Sequence, residues 1–258
     1  MLSKDNKLTL DDKQRLAELC LERSFVKRGK TFFRLMGDGV LQCISFCYER
    51  TASNHSLYVG LMSLYGEMVD EDFTSTSSIP SYSVCCFIGQ STPLTITKIN
   101  GFSYFNFMSP KDQLVILEQQ VFSWLDAITT QEELSKAMQE LEVMECGRGC
   151  WVESRQIGAF LASRNYAAAD RLIAGILRVY LPSSVEPEGM KHLPWSEEYF
   201  DRFKELYPGE CEDWLQIHAW IRDKNITQIE KFLNRNYSRN CERLKFLFRK
   251  MGNKGCSR

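Results

Sequence analysis

Ten cysteines and three histidines in a chain of 258 residues raise metal chemistry first. A structural zinc site takes four ligands held close together. Cys43 and Cys47 fall in a predicted strand, where four residues at ~3.3 Å each set them roughly 13 Å apart, beyond a shared metal or a disulfide. Cys85 and Cys86 are adjacent and point to opposite faces of theirs. Only Cys146-Gly-Arg-Gly-Cys150 has glycines that let two thiols meet, with Arg148 beside them to favour thiolate, yet no second pair lies near it in sequence. The expectation is therefore reduced core thiols, no metal site and no cofactor.

Nucleophilic and acid-base patterns are equally sparse. The chain has no G-x-S-x-G, no H-E-x-x-H and no P-loop, and Gly147-Arg-Gly149 lacks the third glycine of a dinucleotide fingerprint. His218 shares a predicted helix face with Trp214, Ile217 and Ile221, which reads as a histidine at a core margin. His55 is assigned to a turn and His192 to a proline-rich segment. Asp70-Glu71-Asp72 lacks the glycine and closing glutamate of a calcium loop. No catalytic residue is assigned.

Charge is the uneven feature. Lysine and arginine total 32 against 33 acids, a net charge of -1. Yet Arg235, Arg239, Arg243, Lys245, Arg249, Lys250, Lys254 and Arg258 crowd the C-terminus with Glu242 as the lone acid among them. Leu244, Leu247, Phe248 and Met251 form an apolar stripe through it, with Arg239, Arg243 and Lys250 off the stripe. A second basic group, Arg23, Lys27, Arg28, Lys30 and Arg34, lies near the N-terminus. These eight off-stripe and N-terminal bases are the candidate binding residues. The partner expected is an acidic protein, ahead of nucleic acid or an anionic membrane surface; the plainer reading, a terminal helix packed by its stripe with solvated bases at its C-terminal end, is weighed above docking because no aromatic stacking surface accompanies the charge.

The elements that position these groups follow two grammars, which change near residue 108. Leu10, Leu16, Leu19 and Cys20 predict a first helix after a Thr9 cap. Strand-like runs follow at 31–35, 40–48, 57–64, 82–88, 94–99 and 102–107, separated by turns at Gly37 to Gly39, Asn54, Gly89 to Pro93 and Asn100-Gly101. Between residues 79 and 108 Lys98 is the sole charge, so this stretch must be covered on at least one face. Short connections imply antiparallel neighbours.

Beyond residue 108 the periodicity is helical. Ser109-Pro110 caps a helix with Leu114, Leu117, Val121 and Leu125 in one stripe, and Thr130 to Glu133 forms a capping box for the next. Further helices are predicted over 152–163, 166–180, 196–206, 210–222, 227–234 and 238–251, with 182–194 as an exposed linker. AFLASRNYAAADRLI (159–173) echoes AWIRDKNITQIEKFL (219–233) at an offset of 60, each a helix, a basic-Asn turn and a second helix. The prediction is an α+β chain: an N-terminal helix and an antiparallel sheet of five or six strands within 1–128, packed against an all-helical region, 129–258.

LCLERSFVKRGKTFFRL (19–35), HSLYVGLMSLYG (55–66) and FSWLDAITTQEELSKAM (122–138) together resemble the bacterial family called domain of unknown function 4304, over about half of the chain. The resemblance implies a leading helix, a basic hairpin, an antiparallel sheet, closing helices and a bacterial origin. Gly29 and Arg34 map onto its "phenylalanine, basic pair, glycine, basic, aromatic, arginine" stretch. That family brings no catalytic residues. With no apolar leader in MLSKDNKLTLDDK, the expected location is cytoplasmic and the expected role non-catalytic binding through the helical half and basic terminus. The alternative is an enzyme or small-ligand protein with a polar pocket between sheet and helices, using Arg34, Cys150 or His218.

Overall fold

A computed structural model of the chain describes residues 7–49, 54–66, 86–87, 109–140, 150–180, 197–209 and 211–245. Helix α1 (Leu10–Glu22) starts where Thr9 accepts from Asp12 N–H while the Asp12 carboxylate accepts from Thr9 N–H, a reciprocal cap. Leu16, Leu19 and Cys20 are buried, but Leu10 is 77 % exposed: as the first helical residue it lies off the buried stripe. Ser24 at φ +64° turns the chain out of the helix, and Phe25 N–H closes back on Cys20 O.

Four antiparallel strands follow in sequence order: β1 (Val26–Arg28), β2 (Thr31–Leu35), β3 (Val40–Glu49) and β4 (Asn54–Ser63). A two-residue segment, Cys86–Phe87, pairs with β4 at Leu61 and Gly60. The expected count of five or six strands is not supported. Of the runs expected beyond β4, Cys86 and Phe87 are the residues described, and the strands and Asn-Gly turn expected within 88–107 lie outside the described residues. Strand β1, too short to show alternation, forms because Gly29 at φ +60° opens a two-residue loop between Arg28 and Thr31. His55, expected in a turn, lies in β4 opposite Tyr48, which moves the turn upstream of it.

The sheet buries both faces. Phe32, Val40, Ile44, Leu57, Val59 and Leu61 join the main core with α1 and later helices, while Phe33, Leu41, Cys43, Met62 and Leu64 form a second cluster with residues of the last helix. Helix α2 runs from Pro110 through Ile116, a π-helical turn Leu117–Val121 and Phe122–Asp126. Its Ser109 cap and its stripe of Leu114, Leu117, Val121 and Leu125 are as the sequence implies, and the wider π turn also brings Phe122 into the core. Gln113 of α2 donates to His55 O and accepts from Leu57 N–H at 2.6 Å, so a side-chain amide completes backbone pairing of β4.

Helices α3 (Gln131–Glu140), α4 (Cys150–Ala162), α5 (Tyr166–Tyr180), α6 (Glu197–Leu206), α7 (Glu212–Arg222) and α8 (Ile226–Arg243) make up the remainder. Thr130 and Glu133 close the anticipated box: Glu133 N–H donates to Thr130 Oγ1 and Glu133 Oε2 accepts from Thr130 N–H. The patterns read as two helices over 227–234 and 238–251 are one helix to Arg243, since Asn236 and Tyr237 continue its pitch; 246–258 lies outside the described residues, as does the proposed linker 182–194. Among the described residues no strand follows Phe87, and α3, α4 and α8 pack on the sheet.

The echo at offset 60 is a repeated turn. Asn165 N–H reaches Phe160 O and Asn225 N–H reaches Trp220 O, both at 2.8 Å. Arg164 and Lys224 take the same left-handed φ, +59° and +50°. Asn165 Oδ1 then accepts from Ala168 N–H, and Asn225 Oδ1 from Gln228 N–H, so one residue ends its turn and caps the following helix in both hairpins.

Candidate functional site

Alternation along the β1–β2 hairpin divides the N-terminal basic group. Arg34 and Lys27 face the main core side, Lys27 over the Phe32 ring at 5.5 Å, whereas Val26 and Leu35 border the second cluster. Arg34, 12 % exposed, donates Nε to Gln42 Oε1 at 2.8 Å, Nη1 to Arg23 O at 3.3 Å and Nη2 to Asp126 Oδ1 at 2.6 Å. Arg23 pairs with the other oxygen of Asp126 at 3.0 Å. Each guanidinium also lies over a phenylalanine, Arg34 on Phe25 and Arg23 on Phe122, and those two rings meet edge to face. Gln42 in turn donates to Leu125 O and Ile128 O, the last carbonyls of α2 and its exit. Two of the candidate bases thus tie the sheet to the end of α2.

Lys27, Arg28 and Lys30 are exposed at the hairpin tip. On α8, Lys231, Arg235 and Arg239 are exposed and Arg243 is half-buried, and Lys245 just past its end is exposed. Lys245 pairs with Glu242. Leu244, the one residue of the predicted apolar stripe among those described, is buried together with Cys241 in the same cluster that Val26 and Leu35 border. The hairpin and the end of α8, more than 200 positions apart in sequence, thus border one apolar cluster. Lys250 lies outside the described residues.

The residues considered for catalysis occupy separate surroundings. His218 is buried, with Nδ1 3.1 Å from Asp170 Oδ1 of α5 and its ring stacked on Phe200 of α6 at 3.5 Å between centroids. It joins three helices, α5, α6 and α7. Asp170 carries no motif that sequence reading could have matched to it. Arg34 sits at the opposite joint, between sheet and α2, and Cys150 opens α4. Burial pushes the Cys20 thiol up to about 12, so it stays protonated at neutral pH; the nearby Arg34 guanidinium offsets little of this. Cys43 and Cys241 are buried and Cys211 half-buried, none of them in a disulfide. Burial, then Lys13 and Lys30, lowers the pKa of His55.

Among the described residues no three His, Cys, Asp or Glu side chains converge as a metal-binding group, and no helix is long and apolar enough to cross a membrane. No family model, no curated protein and no solved structure matches the chain.

Proposed function

We propose that this chain is a non-catalytic binding protein, cytoplasmic and of bacterial origin, which docks an acidic protein surface on the border formed by the β1–β2 hairpin and the C-terminal turns of α8. The observation that carries the reading is the common apolar cluster, which holds Cys241 and Leu244 and against which Val26 and Leu35 also pack. On this reading Arg28, Lys30, Arg239 and Arg243 border one patch, with Lys27 on the other face of the hairpin, although the chain as a whole is slightly acidic. Clustered like charge of this kind steers encounter with an oppositely charged surface and sets its salt dependence. Kinship with the family called domain of unknown function 4304 belongs to the same proposal and is supported by Gly29 at positive φ in a tight basic hairpin.

Fluorescence anisotropy with a labelled Glu-rich peptide tests the partner class, with single-stranded RNA and phosphatidylserine vesicles as parallel probes. The peptide binds, binding weakens as salt approaches the ~10 Å screening length of 0.1 M solution, and Lys30→Glu with Arg239→Glu costs about tenfold or more. Tighter binding of RNA or vesicles than of the peptide rejects the protein-partner reading. Indifference of all three probes to the charge reversals rejects the surface.

A further inference from the structure

Five large apolar side chains are exposed among the described residues, and the two most exposed, Leu10 at 77 % and Leu21 at 59 %, both stand on α1. A single exposed leucine is ordinary on a protein surface. These two are eleven residues apart, about three helical turns, so they share one line along the helix. Gln14, exposed, and Ala17, half-buried, lie between them on that line. The core stripe of Leu16, Leu19 and Cys20 takes another side of α1, and α2 lies against the flank where Arg15 pairs with Glu118 at 2.9 Å. None of these residues belongs to the basic border described above.

Steps of four, three and four residues are the spacing of a coiled-coil seam, with Leu10 and Ala17 at d and Gln14 and Leu21 at a. In that frame Lys13 falls at g and Glu18 at e, the two positions that flank a seam. Both are exposed, and Lys13 has no ion pair among the described residues.

The flanking charges decide what fits the seam. Two parallel helices in register set g of one against e of the other, five residues further on. Lys13 of each copy then meets Glu18 of the other. Antiparallel copies set e against e, which brings Asp11 and Glu18 of one copy against the same acids of its mate. Parallel pairing also places Gln14 beside Gln14, and a lone polar pair at a fixes the register at some cost in stability. The seam is therefore its own complement, and a two-fold axis along α1 satisfies both flanks at once.

We propose that α1 is a self-association surface, through which two copies of this chain pair as a short parallel two-helix coil. At ~1.5 Å per residue the helix is about 20 Å long, so the interface is smaller than a standard one and the dimer is weak and concentration-dependent.

Sedimentation equilibrium of the full chain between about 5 and 500 μM tests this, with a monomer–dimer dissociation constant of roughly 10–100 μM expected. Leu21→Glu weakens the dimer about tenfold or more. Gln14→Leu, which makes the polar pair apolar, tightens it by a similar factor. Lys13→Glu and Glu18→Lys each weaken it, and the double reversal restores it. All four positions are exposed, so the variants keep the fold, which circular dichroism of each checks. A wild-type chain that stays monomeric at about 500 μM overturns the proposal. So does a dimer indifferent to both Leu21→Glu and Gln14→Leu, which marks a different surface. Tightening by Glu18→Lys marks an antiparallel pair and overturns it as well.

Discussion

Gly158 marks the closest approach of helix to sheet: a Cβ there would lie 2.3 Å from Gly66 N and 2.4 Å from Tyr65 C. Both are backbone atoms, so no rotamer change relieves the clash. Gly158→Ala is expected to destabilise the protein by roughly 1–3 kcal/mol, read as a lower urea midpoint with unchanged slope. Arg34 is the polar counterpart. Arg34→Met keeps much of the packing on Phe25 but strands Gln42 Oε1 and takes one guanidinium from Asp126, for an expected loss of about 2–3 kcal/mol. Arg34→Lys recovers only part, since an ammonium cannot form the three-way fork. Glu133 supplies a pH dependence. Hydrogen bonds from Thr129 N–H, Thr130 N–H and Thr129 Oγ1 hold its carboxyl below the ordinary range. A depressed folded-state pKa stabilises above the unfolded value and is lost as pH falls through the folded one. The wild type therefore loses stability on acidification more steeply than Glu133→Gln does, in melts compared between neutral and acid pH. The capping box behind this effect is legible in Thr130-Gln-Glu-Glu133, because its partners are three residues apart. Gly158 and Gln42 are not, because what each meets comes from distant chain.

The helical hairpins show how an element is specified. Asn165 and Asn225 each cap the helix that follows, and Arg164 and Lys224 each adopt the left-handed turn before it. Loss of the cap in Asn165→Ala or Asn225→Ala is expected to cost about 1 kcal/mol in chemical denaturation. Lys224→Gly, by contrast, is expected to gain roughly 0.5–1 kcal/mol, since glycine occupies that region without strain. These turns are readable because all their hydrogen bonds fall within six residues. The π turn of α2 is not, since it arises where Leu117, Val121 and Phe122 are all drawn into the core. The number of strands is not legible for a related reason. A run of uncharged residues such as 82–88 shows that water is excluded without showing which edge it pairs with; its two described residues, Cys86 and Phe87, pair with β4.

Across the whole molecule, α8 holds the far face of the sheet. Asn240 Nδ2 donates to Leu64 O at 2.7 Å and Gly66 O at 2.8 Å, Asn236 Nδ2 donates to Tyr65 O, and Tyr237 stacks on Tyr65. Asn240→Ala leaves two carbonyls without that donor in a buried joint and is expected to cost about 2–4 kcal/mol. A chain cut after Asn225 uncovers Phe33, Leu41, Cys43, Met62 and Leu64 together. It is expected to lose the cooperative thermal transition and to bind a hydrophobic dye such as ANS.

Local chemistry is what the sequence settled by itself: three N-caps, two Asn turns, the helical stripe of α2, the antiparallel order of the strands, and an α+β chain whose helices follow its sheet. Each rests on hydrogen bonds or periodicities that span a few neighbouring residues. Tertiary structure alone decided which amides become joints, that Arg34 and Arg23 share Asp126, that His218 meets Asp170, and that two basic segments border one apolar cluster. Those outcomes depend on which faces of distant elements bury each other. An isolated glutamine or arginine reads the same in sequence whether it ends in water or at such a joint.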